Sequence, residues 1–296
     1  MRILVTGSEG LVGSALTAAL RDLQHQVVGL DLLGDGHDRG DVRRADDVAR
    51  AVHGCDGVVH LAAISRVVWG ERDPDACVAT NLGGTRNVLA ACLEASPRWV
   101  LFASSREVYG QPAALPASED APRHPVNVYG RSKVQGEDLV VGAREHGLAT
   151  AVVRLSNVYG TTDDHQDRVV PAFARGAAEG RELRVDGRGH TFDFTHLDDT
   201  VDGLVRMIGL LEDGEAPPPV HVLTGRPTTL GELAELAVRT AGSPSTIRDA
   251  PPRSYDVSHF YGDPARARSL LGWEPTTAIE EGVARLVAAF QETESA

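Results

Sequence analysis

The chain has 296 residues, of which 42% are hydrophobic, and its 29 basic and 42 acidic side chains leave a net charge of -13. This composition supports a sizeable core, the negative charge argues against nucleic acid as a main partner, and no apolar stretch approaches the roughly 20 residues of a membrane helix. The three cysteines include no C-x-x-C pair, so we expect no metal site and a reducing, cytoplasmic location.

Short β-branched segments alternate with amphipathic ones through the first half of the chain. The predicted strands are RILVT, QVVGLD, GVVHLAA, WVLFASS and TAVVRLSN. The helices predicted among them are Leu11–Leu23, Ala45–His53, Asp75–Ala95 and Val128–His146. This alternation is typical of βαβ units, and the nearly continuous apolar runs indicate strands covered on both faces. The sequence therefore predicts an α/β fold with a doubly wound parallel sheet. Because the first strand begins at residue 2, we expect no signal peptide.

The pattern changes after residue 157. Loops lengthen, prolines cluster in EAPPPV and DAPPRS, and short helices and strands mix. We predict a first domain over residues 1–157 and a smaller, mixed α/β C-terminal substrate lobe over residues 158–296. Residues from about 190 to 225 are expected to return to the first domain.

The segment TGSEGLVG joins the first predicted strand to the first helix. Its glycines, Gly7, Gly10 and Gly13, would let backbone N–H groups approach a pyrophosphate at the helix N-terminus, although glycines also serve plain tight turns. Asp31 ends the second strand, where its carboxylate can accept hydrogen bonds from a ribose diol and repel a 2′-phosphate, which favours NAD over NADP. Asp41 is suited to contact the adenine, or is a solvated loop acid.

The segment NVYGRSK places a phenol and an ammonium group on one helix face. Tyr129 and Lys133 are four residues apart, and a cation there would lower the pKa of Tyr129 by favouring the phenolate. The strand WVLFASS delivers Ser104 and Ser105 to the carboxyl edge of the sheet, where ligands bind in such folds. Together these groups predict a hydride-transfer site for a carbinol or ketone, with a surface Tyr and Lys as the alternative.

With these motifs the chain resembles the extended short-chain dehydrogenase/reductase family, in its NAD-dependent nucleotide-sugar epimerase/dehydratase branch. The resemblance rests, in order, on TGSEGLVG, HLAA, TNLGGT, SSREVYG, VYGRSK, RLSNVYG, FDFTHLDD and LGWEPTTAIEEGV. It implies a Rossmann-type domain with a substrate lobe, bound NAD, and a nucleotide-diphosphate sugar as substrate. It also implies a homodimer formed through the helices near Asp75–Ala95 and Val128–His146.

The resemblance also implies residue roles. Tyr129 would be the acid/base on the sugar hydroxyl, Lys133 would tune it and bind ribose, and Ser105 would share a hydrogen bond with the same sugar oxygen. The NAD-binding residues would be Gly7, Gly10, Leu11, Val12, Gly13, Asp31, Asp41, Val42, Leu61, Ala62, Ala63, Asn81, Ala103, Ser104, Tyr129 and Lys133. The substrate-binding residues would be Arg66, Ser105, Arg106, Asn157, Arg188, His190 and Arg253.

The groups that would hold the substrate diphosphate differ in part from those of the relatives. Many relatives have Arg-Asp-Phe where this chain has Phe192-Asp193-Phe194, and that arginine grips the diphosphate. Phe192 cannot do so, which leaves Arg188 or His190 as replacements. Arg253 lies ten residues before Asp263, a spacing that looks like that of the family's phosphate-binding arginine, or it is a plain loop arginine.

The reaction depends on Arg106 and Glu107, which follow Ser105. Dehydratases of this family commonly carry Asp-Glu there, and uronate decarboxylases often carry Ser-Glu. Since a guanidinium does not give up its proton, Arg106 cannot be the general acid of a dehydratase. It would instead pair with Glu107, bind a substrate carboxylate, or lie at the rim of the site.

The leading hypothesis is an NAD-dependent nucleotide-sugar 4-epimerase that works through a transient 4-keto sugar. The alternatives are a dehydratase or uronate decarboxylase with Glu107 as the catalytic base of the second step, a net dehydrogenase that consumes free NAD, and a non-catalytic NAD-binding regulator.

Overall fold

The computed structural model describes residues 1–253 and 257–295. Its strands are β1 (Arg2–Thr6), β2 (Gln26–Leu30), β3 (Gly57–His60), β4 (Trp99–Ser105), β5 (Ala149–Leu155), β6 (Val158–Tyr159), β7 (Leu183–Asp186), β8 (Thr191–Asp193), β9 (Thr195–His196), β10 (Val220–Val222), β11 (Pro227–Thr229) and β12 (Ile247–Ala250). Its helices are α1 (Leu11–Asp22), α2 (Ala45–Val52), α3 (Val67–Arg72), α4 (Pro74–Val78), α5 (Gly84–Ala95), α6 (Val128–Gly142), α7 (Val169–Ala178), α8 (Leu197–Glu212), α9 (Leu230–Ala241), α10 (Ala265–Leu271) and α11 (Ile279–Ser295).

A six-stranded parallel sheet carries the fold, in the order β10-β5-β4-β3-β1-β2. The chain passes from β1 to β2 on one side and then crosses to β3 on the other. A crevice forms at the carboxyl ends of the strands where the winding reverses. This arrangement confirms the predicted Rossmann-type, doubly wound sheet.

The two faces of the sheet follow from the period-two alternation of side chains along each strand. Ile3 and Val5 of β1 pack into a core with helices α1 and α8. Leu4 faces the other way, into a core shared with α2, α5 and α6. The sheet is therefore buried on both sides, which is why its strands have no polar face.

A third core lies among the elements of the C-terminal half. Helices α7, α9 and α11 pack together around Phe173, Leu233 and Phe290. Two small sheets, β7 with β12 and β8 with β11, extend this lobe. Two other elements of the C-terminal half pack elsewhere. Helix α8 packs against α1, and β10 extends the main sheet beside β5. The predicted domain bounds, with the return of residues from about 190 to 225 to the first domain, stay a prediction.

Several predicted elements have different ends in the structure, and three of them lie near the carboxyl edge of the sheet or carry residues predicted for the site. The single helix predicted over Asp75–Ala95 is α4 and α5 joined by a π-helical turn, Ala79–Gly83. Helix α6 ends at Gly142 and continues as a 3₁₀ turn, Ala143–His146. Strand β3 ends at His60, so Leu61, Ala62 and Ala63 lie in the loop at the sheet's edge.

Among the described residues, no helix is both long and apolar enough to cross a membrane. Within the same residues, no group of His, Cys, Asp and Glu side chains is arranged to hold a metal ion. The three cysteines are buried and free.

Candidate active site

A cleft of about 1150 Å³ opens at the carboxyl ends of the sheet strands and is closed on its far side by the C-terminal lobe. Almost all the predicted site residues line it: Gly7, Gly10, Leu11, Val12, Gly13, Asp31, Asp41, Val42, Leu61, Ala62, Ala63, Arg66, Ala103, Ser104, Ser105, Arg106, Glu107, Tyr129, Lys133, Asn157 and Arg253. The chain therefore brings residues from five strand ends and two lobes together around one space.

In the glycine-rich loop, the backbone at Gly7 passes very close to the backbone at Gly13, at the start of α1. Gly7 has a φ of +74°, in the left-handed region that glycine tolerates best. A Cβ on Gly13 would lie 1.9 Å from the Gly7 carbonyl oxygen, so only glycine fits there. The N-cap residue Gly10 supplies no side chain to the first turn, which leaves its N–H groups available for an anion.

Two acids flank the outer end of the cleft. The Asp31 carboxylate accepts hydrogen bonds from the backbone N–H groups of Glu9 at 3.1 Å and Leu33 at 3.0 Å, which fixes it at the end of β2. The Asp41 carboxylate forms a bidentate pair with Arg43, and that hydrogen bond holds the pKa of Asp41 below its usual value. Asp31 is thus oriented by the backbone, whereas Asp41 is already paired with a side chain.

The three groups predicted to activate a hydroxyl meet in the middle of the cleft. Tyr129 and Lys133 lie on α6, and Ser105, the last residue of β4, interacts with the Tyr129 phenol. The Lys133 ammonium donates to the Ala103 carbonyl at 2.7 Å and lies 5.8 Å from the centre of the Tyr129 ring. The phenol, the hydroxyl and the cation therefore share one wall.

Burial dominates the electrostatics of this wall. It raises the pKa of Tyr129 to about 12, offset in part by the hydrogen bond with Ser105, and the predicted lowering of this pKa by Lys133 stays a prediction. Burial also lowers the pKa of Lys133 to about 8. Below that value Lys133 keeps its charge, and Tyr129 is a neutral phenol that can donate a proton.

Arg106 and Glu107 lie beside this wall in a 3₁₀ turn, Arg106–Val108, that directly follows β4. The turn brings the two side chains together, with Arg106 Nη2 2.8 Å from Glu107 Oε1. The amide of Asn127 donates to Glu107 Oε2 at 2.7 Å. Both residues are buried, which excludes the interpretation of Arg106 as an exposed rim charge.

Three predicted residues do not line the cleft. Arg188 is exposed and forms ion pairs with Glu235 and Asp249, so it does not replace the arginine missing at position 192. His190 precedes β8, and its ring lies edge-on to that of Phe192 outside the cleft lining. Asn81 is buried in the π-helical turn.

Asn81 acts from behind the cleft wall. Its side chain accepts from the Ile64 N–H at 2.8 Å and donates to the Ser132 hydroxyl at 3.0 Å. It therefore ties the loop after β3 to α6, the helix that carries Tyr129 and Lys133.

Two further residues belong to the site. Asn127 caps α6 by accepting from the Gly130 N–H at 2.7 Å while it holds Glu107. An Asn just before a helical run is an N-cap signal, so the sequence contained this information. Arg168 lines the cleft at the start of α7 beside the buried Asp164, and no motif marks it.

The residues on the cleft wall fit NAD. A close backbone turn at a helix N-terminus suits the pyrophosphate, and Asp31 suits the adenosine ribose. Lys133 and Tyr129 lie where the nicotinamide end would be held. This fit rests on the close backbone packing that Gly7 and Gly13 allow at the N-terminus of α1 and on the fixed carboxylate of Asp31.

Comparison with known proteins gives consistent results. The family model described as "NAD dependent epimerase/dehydratase family" matches residues 3–222. A UDP-glucose 4-epimerase of Mycolicibacterium smegmatis is 34% identical, over 98% of this chain and 99% of its own length. UDP-glucuronic acid decarboxylase 1 of Danio rerio is 30% identical, over 98% of this chain and 72% of its own length. The structure of Thermus thermophilus UDP-glucose 4-epimerase in complex with NAD superposes with a TM-score of 0.89 at 28% identity, covering 98% and 99% of the two chains.

Proposed function

The chain belongs to the NAD-dependent epimerase/dehydratase family, and from this premise we propose that it is a nucleotide-sugar 4-epimerase. Its relatives are NAD-dependent enzymes, and its cofactor is NAD. A nucleotide sugar is the substrate class that the relatives' names indicate. UDP-glucose and UDP-galactose are the first pair to test.

In the proposed reaction, Tyr129 acts from its phenolate form, which takes the proton of the C4 hydroxyl and later returns it. Bound NAD supplies a reversible hydride acceptor for the same carbon. The Ser105 hydroxyl holds the sugar oxygen in line with the phenol. The Lys133 cation favours transient negative charge on Tyr129, whose pKa is otherwise raised to about 12 by burial.

The observation that favours an epimerase over a lyase is the state of Glu107. Both of its carboxylate oxygens have partners, Arg106 on one and Asn127 on the other. Taking a proton from C5 would neutralise the charge of Glu107 and so weaken both of these buried interactions. An epimerase needs C5 to stay protonated, so a carboxylate held in this way does not interfere.

The test is product analysis on a panel of nucleotide sugars, by mass spectrometry and NMR. Unchanged mass with inverted C4 supports the proposal. Loss of water identifies a dehydratase, and loss of carbon dioxide from a nucleotide uronate identifies a decarboxylase.

The Glu107→Gln variant sharpens this test, because the amide keeps the shape of the side chain but cannot act as a base. The epimerase proposal expects substantial activity to remain. A variant that accumulates a 4-keto species or NADH without product would make Glu107 the second-step base, and the lyase alternative would replace ours.

We also propose that two chains associate through α4, α5 and α6. These neighbouring helices expose Val78, Leu93 and Val141, each at least 38% accessible. Leu93→Glu combined with Val141→Glu should give a monomer in sedimentation velocity, whereas Leu270→Glu, an equally exposed site on α10, should not. A wild-type monomer would contradict this proposal.

The cytoplasmic location stays a prediction.

A further inference from the structure

Arg106 is held between two aromatic rings on the cleft wall. Its guanidinium carbon lies 4.6 Å from the ring centre of Phe192 and 5.8 Å from that of Phe260. Cations are attracted to ring faces at such distances, and the attraction grows when water is excluded. The side chain is 10% exposed, and the rings and the neighbouring turn restrict its orientation.

One nitrogen of this guanidinium has no partner among the described residues. Nη2 pairs with Glu107 at 2.8 Å, but Nη1 is buried and donates to no protein atom there. A buried donor without an acceptor costs about 1–3 kcal/mol, so folded proteins rarely keep one without a reason. Arg106 lines the cleft, so a small shift of its guanidinium on binding would bring Nη1 to an acceptor of the ligand.

The place of Arg106 in the chain indicates which part of the ligand this is. It directly follows Ser105, which interacts with the Tyr129 phenol, and Glu107 acts electrostatically on the same phenol. The unpartnered donor therefore lies beside the reacting carbon. An exocyclic CH₂OH group combines an apolar carbon for the ring of Phe192, which lines the cleft, with a terminal oxygen for Nη1.

The charge balance distinguishes a neutral oxygen from an anionic one. The positive charge of Arg106 is already compensated by Glu107, so the buried pair has no net charge. A sugar carboxylate at this position would bring a second negative charge next to Glu107. Like charges in a buried site repel strongly, and a hydroxyl avoids that repulsion.

We propose that Arg106 determines sugar specificity: its Nη1 donates to the C6 hydroxyl of a nucleotide hexose, and its pairing with Glu107 disfavours a C6 carboxylate. The choice of C6 rests on the proposed reaction at C4. The hydrogen bond itself rests only on the geometry of Arg106.

The first test compares ligands on a variant whose turnover is strongly reduced. NAD-loaded Tyr129→Phe protein is titrated by calorimetry with UDP-glucose, its 6-deoxy and 3-deoxy analogues, and UDP-glucuronic acid. A hydrogen bond to a charged donor is worth about 1.5–3 kcal/mol, so loss of the 6-hydroxyl should weaken binding about 10-fold or more. UDP-glucuronic acid should also bind more weakly than UDP-glucose.

Equal affinity for UDP-glucose and its 6-deoxy analogue would overturn the proposal, and so would a larger loss with the 3-deoxy analogue. Tighter binding of UDP-glucuronic acid than of UDP-glucose would overturn the charge argument. None of these results depends on product formation. Failure of the epimerase proposal would appear separately, in the product analysis of the wild-type enzyme.

The second test uses variants in the same Tyr129→Phe background. Arg106→Lys keeps the cation between the rings and its pairing with Glu107, but one ammonium cannot serve both partners as the fork does. It should reduce the UDP-glucose to 6-deoxy affinity ratio to near one while the 6-deoxy affinity stays within about 2-fold. Arg188→Lys, outside the cleft, should leave the ratio unchanged. A purely structural role would lower both affinities together and contradict the proposal.

Glu107→Gln should raise the affinity for the uronate, whereas the intact pair disfavours it. It removes the compensating charge, so the uncompensated guanidinium should bind UDP-glucuronic acid about 10-fold more tightly than the parent protein does. A variant with weaker or unchanged affinity for the uronate would refute the charge-balance part of the proposal. Thermal unfolding of each variant verifies that the comparison is made on folded protein.

Discussion

Asp31 lies at the end of β2, where two backbone N–H groups fix its carboxylate at the cleft wall. A fixed carboxylate there accepts from a ribose diol and repels a 2′-phosphate. Asp31→Ala should therefore weaken NAD binding by about 10-fold, the worth of one or two charge-assisted hydrogen bonds, and relax discrimination against NADP. Titration calorimetry with both cofactors measures the effect.

The matched control is Asp35→Ala, an exposed acid four residues further along that does not line the cleft. It should bind both cofactors as the wild type does. If the wild type binds NADP as tightly as NAD, Asp31 does not select the cofactor.

Tyr129 is the residue on which the proposed chemistry depends. Tyr129→Phe keeps the buried ring and removes the oxygen that would transfer the proton. Turnover should fall by about 10²–10⁴, the usual contribution of a general acid–base group, while NAD affinity stays nearly unchanged. Steady-state rates and cofactor titration measure the two quantities. Near-normal turnover would reduce Tyr129 to a packing residue.

At the scale of elements, the passage from β1 to α1 depends on one close backbone contact. A Cβ at position 13 would come within 1.9 Å of the Gly7 carbonyl oxygen, which no local adjustment can absorb. Gly13→Ala should separate the loop from the helix, so that the backbone N–H groups no longer point together at the pyrophosphate. NAD binding should therefore weaken by at least about 10-fold. Cofactor titration measures this loss.

Gly209→Ala is the control for this change. Gly209 lies in α8, where an added Cβ meets nothing within 4 Å. The substitution should leave NAD binding intact and raise the free energy of unfolding by about 0.5–1 kcal/mol, because alanine loses less backbone entropy in a helix. Equal effects of the two substitutions would mean that the close contact at Gly13 does not matter.

The elements that the sequence predicted best are those with one dominant signal. β1 and β4 have the predicted bounds because their apolar runs are uninterrupted and buried on both faces. The π-helical turn around Asn81 and the 3₁₀ form of the turn at Arg106 were not predicted, because a helical run and a strand end look the same in sequence with or without them. Both irregular turns adjoin the cleft, where departures from regular structure concentrate.

The site was predictable where motifs constrain local geometry, and less so where partners come from distant segments. Pairing with Glu107 was one of three interpretations of Arg106 from the sequence. The 3₁₀ turn after β4 brings the two side chains together, so the structure favours this interpretation. Arg188 was expected near the diphosphate, but Glu235 and Asp249, remote in sequence, hold it outside the cleft. Phe192 packs under Arg106, a contact between residues 86 positions apart that no spacing rule reveals.

At the scale of the whole molecule, His60 joins the sheet to the layer of helices through a buried hydrogen-bond chain. The Ala62 N–H donates to the Thr6 hydroxyl, which bonds to His60 Nδ1 at 2.7 Å. On the other side His60 Nε2 lies 3.1 Å from the Thr85 hydroxyl, which donates to the Asn81 carbonyl. Every group is satisfied when His60 is neutral with its proton on Nε2.

A second proton on His60 would turn Nδ1 into a donor that faces a hydroxyl already bonded elsewhere. Burial, with a smaller contribution from the Lys133 charge, lowers the pKa of His60 to about 3 from 6.5. Between these values the unfolded chain binds the proton and the folded chain does not. Stability is therefore complete above pH 6.5 and is lost as the pH falls towards 3, by up to about 1.4 kcal/mol per pH unit.

His60→Gln removes this titration and should flatten the dependence of the unfolding free energy on pH. The wild type should lose about 2 kcal/mol more than the variant between pH 6.5 and about pH 5, whatever the variant's stability at neutral pH. Urea unfolding at several pH values measures both curves, and the other titrating groups cancel in their difference. The exposed His53→Gln is the matched control and should parallel the wild type. Parallel curves for wild type and His60→Gln would mean that His60 takes up its proton in the folded protein, and the closed hydrogen-bond chain described above would then be wrong.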